Sequence, residues 1–129
     1  MYGKQKSKIN TGEIMKRQLD KQQSQRLIDL GVPKEKASIK YIEEIRIVKN
    51  HEVYDWAWQF TLTDLLDILP KEIETDDAYN DTLVIDFIDG SVYAQYTYQT
   101  RTRKESEELI DSLYKLCVWT IENGYLKFE

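Results

Sequence analysis

The chain has 129 residues, is 41% hydrophobic and 32% charged, and carries a formal net charge of −5. That is enough for one core, too little for two, and too apolar for a disordered chain. Its unbroken apolar runs reach four residues at most, far below the roughly 18 of a membrane span, so a transmembrane helix is excluded.

No apolar stretch follows Lys4, Lys6 and Lys8, so no secretory signal is expected. The single cysteine, Cys117, cannot form an internal disulfide, which agrees with a cytoplasmic location. Residues 1–21 hold six basic residues against two acidic ones, a balance of +4, leaving −9 for the rest of a chain whose total is −5. An acidic body repels a phosphate backbone, so nucleic-acid binding is disfavoured except through the basic tail. Residues 1–21 read as a basic, weakly structured extension and 22–129 as a single α+β domain.

In chain order, Asn10 and Glu13 have capping-box spacing, and a helix is expected from near Thr11. Lys16 to Gln25 is polar apart from Leu19 and offers little to bury. Ser24 then precedes Leu27, Ile28 and Leu30, and Gly31-Val32-Pro33 marks a helix stop, with one further helical turn over Pro33 to Ala37.

The pattern changes to period two over Ile39 to Lys49 and Glu52 to Phe60, which flank an expected turn at Asn50-His51. That hairpin pairs Lys49 with Glu52, Val48 with Val53, Ile47 with Tyr54, Arg46 with Asp55 and Ile45 with Trp56. Its core face is expected to carry Tyr41, Ile45, Ile47, Tyr54, Trp56, Trp58 and Phe60.

Thr61 or Thr63 caps a short helix that stops by Leu69, ahead of Pro70. Lys71 to Asp81 reads as an acidic loop. A second hairpin follows, Thr82 to Ile88 and Ser91 to Gln99 around Asp89-Gly90, a dipeptide suited to a type I′ turn. Its core face collects Leu83, Ile85, Phe87, Val92, Ala94, Tyr96 and Tyr98, and its other face is mostly wet. Past a link at Thr100 to Arg103, a helix is expected from about Lys104 to Asn123. It buries Leu109, Ile110, Leu113, Leu116, Cys117, Thr120 and Ile121. Tyr125 to Phe128 adds a short edge strand or closes the core. The fold expected is α+β: an antiparallel sheet of about four strands from the two hairpins, packed on one face by the long C-terminal helix and shorter helices.

Signals for chemistry are sparse. Asp76, Asp77, Asp81 and Asp86 form the one carboxylate cluster worth weighing as a metal site, though it lacks the spacing of a calcium loop. His51 stands in a predicted turn with no nucleophile motif beside it, and Cys117 on an apolar helix face reads as an inert thiol. No catalytic residue or cofactor is assigned. Tyr79, Tyr93 and Trp119 fall off the predicted core faces, as anchors of an interface or as ordinary surface aromatics.

The segments SQRLIDLGVPKEKAS, FTLTDLLDILPKEI and ELIDSLYKLCVWTIENGYLK resemble ones recurring in small uncharacterised proteins of Bacteroides-group gut bacteria and their phages or integrated elements. The resemblance covers most of residues 24 to 127 and implies a bacterial or phage cytoplasmic setting; it brings no activity, ligand or site. The function expected is a non-enzymatic accessory or interaction protein that engages a protein partner or itself. The alternatives are a metal-dependent enzyme on the aspartate cluster and a single-stranded nucleic-acid binder acting through the tail.

Overall fold

The computed structural model describes residues 15–74, 80–97 and 102–128. The expected helix near Thr11, the lysines of the basic tail before Met15, Asp76, Asp77, Tyr79 and the Tyr98-Gln99 end of the second hairpin lie outside them.

Helix α1 spans Lys21–Asp29 and begins earlier than Ser24, because Asp20 and Gln23 form a capping box: the Asp20 carboxylate accepts from Gln23 N at 2.8 Å and Gln23 Oε1 accepts from Asp20 N at 3.0 Å. It ends where expected, with Gly31 at φ +109°. A 3₁₀ turn, Lys34–Lys36, leads into strands β1 (Ile39–Val48) and β2 (His51–Gln59). Helix α2 (Leu62–Ile68) is capped by Thr61, whose hydroxyl accepts from Asp64 N at 3.2 Å. Strands β3 (Glu72–Glu74), β4 (Asn80–Ile88), β5 (Ser91–Tyr96) and β6 (Lys104–Ser106) precede the closing helix α3 (Leu109–Glu122).

The α+β class, the four-stranded antiparallel sheet and the C-terminal helix are as expected, but the four strands are different ones. The sheet runs β3-β4-β5-β6, and β1-β2 forms a separate two-stranded ribbon. Two short strands that the sequence pattern does not announce complete the main sheet. Glu72–Glu74, placed in the acidic loop, pairs with the start of β4. Lys104–Ser106, placed in the helix, pairs with β5. Three residues carry too little periodicity to announce a strand; pairing to a long neighbour makes them one.

The second hairpin has the expected register, Ile88 opposite Ser91 through to Leu83 opposite Tyr96, around a turn with Asp89 and Gly90 at φ +50° and +81°. Val92, Ala94 and Tyr96 are buried, while Phe87 on the same face is 69% exposed. Helix α3 packs on β5 and β6 and leaves the turn end of β4 uncovered. It buries Ile110, Leu113, Leu116, Cys117 and Thr120 as expected, and Ser112 Oγ donates to Val92 O at 2.7 Å. Tyr125, Leu126 and Phe128 form no strand and pack against the core.

The core joins Leu19, Leu27, Phe60, Leu65, Tyr96, Ile110, Leu113 and Leu116, all fully buried. Leu19 belongs to the segment expected to be loose: its N–H donates to Phe60 O at 2.9 Å, and Lys16 Nζ bonds Asp111 Oδ1 at 2.7 Å. Packing therefore begins before residue 21. Among the described residues no helix is long and apolar enough to cross a membrane.

Candidate interaction surface

The first hairpin departs most from expectation. Its turn is Lys49-Asn50, at φ +50° and +69°, which places Asn, tolerant of the left-handed region, at the second turn position. Register accordingly pairs Val48 with His51, Ile47 with Glu52, Arg46 with Val53 and Ile45 with Tyr54. His51 starts β2 and is exposed. A shift then falls between Ile42 and Glu44, where Glu43 bulges, and beyond it Ile42 pairs with Trp56 and Lys40 with Trp58.

An extra residue inverts the alternation of its strand. Ile42 therefore joins Ile45 and Ile47 on one face, and Tyr41, expected there, moves to the other. The signal was present in the sequence: Glu43-Glu44 puts two consecutive polar residues into a period-two pattern. The bulged Glu43 forms an ion pair with Lys21 of α1.

The resulting face carries Ile47, Ile45, Ile42 and Lys40 from β1 opposite Glu52, Tyr54, Trp56 and Trp58 from β2. Only its root is core. Phe60, continuing the same alternation, is fully buried and Trp58 is packed against the core. Farther out Trp56 is 46% exposed, Tyr54 44%, Ile42 42%, Ile45 55% and Ile47 67%. The expected core face is thus mostly open, because the ribbon outruns the body that was to cover it. Lys40 Nζ lies over the Trp56 and Trp58 rings at 4.3 and 4.9 Å from their centroids, and Tyr54 packs edge-on against Trp56 at 6.5 Å. At the tip, Tyr54 Oη donates to Glu52 Oε2 at 2.7 Å, which raises the phenol's pKa.

The opposite face is organised by charge. Arg46 Nε and Nη2 donate to the two Asp55 oxygens at 2.7 and 2.9 Å, a diagonal bidentate pair where a directly opposed one was expected. This pairing raises the arginine pKa and lowers the aspartate's.

The ribbon's root is held by one carboxylate. Asp64 accepts from Ser38 N at 2.7 Å and Ser38 Oγ at 2.5 Å, just before β1, and from Thr61 N at 2.8 Å, just after β2. Burial alone would raise its pKa, but these hydrogen bonds outweigh burial and hold the carboxyl below its ordinary value.

The residues singled out from sequence lie elsewhere. Asp81 is buried opposite Ile73, and Asp86 stands opposite Tyr93. Five positions apart on one strand, the two aspartates point to opposite faces. Among the described residues no group of three His, Cys, Asp or Glu side chains is placed to hold a metal ion. Asp86 Oδ2 instead accepts from Gln95 Nε2 at 3.3 Å, and Gln95 Oε1 accepts from Arg103 Nε at 3.1 Å. Arg103 also covers the ring of Tyr93 at 5.2 Å, so this face, expected to be mostly wet, holds a polar network around the buried Gln95. Trp119 is half-buried and stacks on Tyr125 at 5.3 Å, closing the core's end. Cys117 is buried, and burial pushes its thiol up to about 12.

An open concavity of about 370 Å³ beside α3 is lined by Arg26, Lys104, Tyr114, Lys115, Trp119 and Glu122. Its charges are engaged locally: Arg26 pairs with Glu122 at 2.9 Å, and Lys115 Nζ donates to Glu105 O at 2.7 Å. Burial, and then Lys115, lowers the pKa of Lys104. No protein-family model, curated protein or solved structure matches this chain.

Proposed function

We propose that this chain is an accessory protein-interaction domain of a bacterial or phage cytoplasm, and that it docks a protein through the apolar face of the β1–β2 ribbon. The resemblance of its helical segments supports the setting; the docking role rests on one observation. Five large apolar side chains, Ile42, Ile45, Ile47, Tyr54 and Trp56, stand open on one face of a ribbon whose root enters the core.

Single exposed apolar residues are ordinary, but a contiguous stripe of Ile, Tyr and Trp is the composition of an interface centre. Covering what remains open on each side chain is worth on the order of 1 kcal/mol. A photoactivatable residue placed at Ile47 in the tagged full chain, expressed in bacterial cells, is expected to yield a discrete protein adduct. The same residue at exposed Gln25 on α1 is expected to yield none. Equal labelling from both positions, or none from either, refutes the docking role.

A further inference from the structure

We propose that the docked partner is a second copy of this chain: two β1–β2 ribbons pack face to face about a two-fold axis, the root of each against the tip of the other. This rests on the docking reading above and names its occupant.

A two-fold interface must be complementary to itself, and the charge on this face meets that condition in only one orientation. Its cations sit at the root, Lys40 over Trp56 and Trp58 and Lys34 over Trp58 at 5.6 Å, and its carboxylate, Glu52, sits at the tip opposite Ile47. Antiparallel packing sets each Lys40 against the partner's tip carboxylate, with the isoleucines and Tyr54 meeting between them. Parallel packing sets like charge on like charge and drives one acidic body into the other.

Area agrees. The open portions of the five apolar side chains amount to on the order of 500 Å². Lys40, Trp58 and Glu52 at the margin bring the face toward the roughly 800 Å² per partner of a standard interface. The ribbon also needs a cover. Strands of ten and nine residues form a sheet of two, and a two-stranded hairpin is marginal in water on its own. Stacking two such ribbons about 10 Å apart makes a four-stranded sandwich whose inner layer is this stripe.

The test is sedimentation or light scattering of the purified full chain across micromolar to submillimolar concentration. The wild type is expected at twice the chain mass, and Ile45→Lys/Ile47→Lys at one chain mass with its circular dichroism unchanged. Lys40→Glu and Glu52→Lys, made singly, are each expected to raise the dimer dissociation constant roughly tenfold, since symmetry counts each change twice. Together they are expected to return it to within about threefold of wild type, because the pair is restored with its signs exchanged.

A wild-type chain that stays at one chain mass throughout overturns the dimer. If Ile47 then still cross-links to a different protein, the docking reading survives with another occupant. A dimer that persists in Ile45→Lys/Ile47→Lys overturns the proposal by placing the interface elsewhere, and a natively folded double charge swap that fails to recover overturns the antiparallel arrangement.

Discussion

Removing the Asp64 carboxylate tests how the ribbon is fastened. The two oxygens accept three hydrogen bonds, two from Ser38 at the start of the ribbon and one from Thr61 at its end. Each bond to a charged acceptor contributes about 1.5–3 kcal/mol when lost. Ser38 is exposed, so water recovers part of that loss, and Asp64→Ala is expected to destabilise the fold by about 3 kcal/mol. Asp64→Asn keeps the shape and one acceptor oxygen, and about half that cost is expected.

The assay is urea unfolding at neutral pH and fixed protein concentration, followed by tryptophan fluorescence, with the midpoint falling and the slope unchanged. The pH dependence has a definite sign. The hydrogen bonds hold the folded carboxyl below its ordinary value, so its contribution is fully present above about pH 5 and is lost as pH falls through the folded value. The gap between wild type and Asp64→Asn should therefore close below about pH 4. An Asp64→Ala cost under about 0.5 kcal/mol, or a gap that ignores pH, refutes the clamp.

Two further predictions concern the body. Tyr96 is fully buried and its hydroxyl donates to Pro70 O at 2.7 Å, so Tyr96→Phe is expected to cost about 1–2 kcal/mol in the same urea assay; an unchanged midpoint contradicts the bond. The Cys117 thiol, raised to about 12 by burial, is expected to react with a disulfide reagent near pH 8 at least about 100-fold more slowly than in the urea-unfolded chain. Equal rates would place that thiol at the surface.

Most local structure was legible because its determinants sit within a few residues of one another. Gly31-Val32-Pro33, Pro70 and Asp89-Gly90 carry the chemistry that ends or reverses the chain and act where expected, and of the two cap candidates, Thr61 and Thr63, the structure uses Thr61. The α3 stripe was equally readable, from Leu109 to Ile121. Local sequence is ambiguous where one residue decides between neighbouring alternatives. Lys49-Asn50 and Asn50-His51 both close a hairpin, and choosing the first turns the Arg46–Asp55 pair from opposed to diagonal. Glu43 then reverses the facing of everything before it in β1.

The candidate surface was legible in composition and hidden in destination. Alternation alone placed Ile45, Ile47, Tyr54 and Trp56 on one face, and a hydrophobic face within one domain is ordinarily assigned to that domain's core. Side-chain direction is a local property, set by the pleat and the turn, so the residues themselves determined that the ribbon has an oily side. Whether that side is covered depends on how far the rest of the chain extends. Only the tertiary structure decided this: α3 lies over β5 and β6, the body ends near Trp58, and the outer half of the face is left open for something other than its own core.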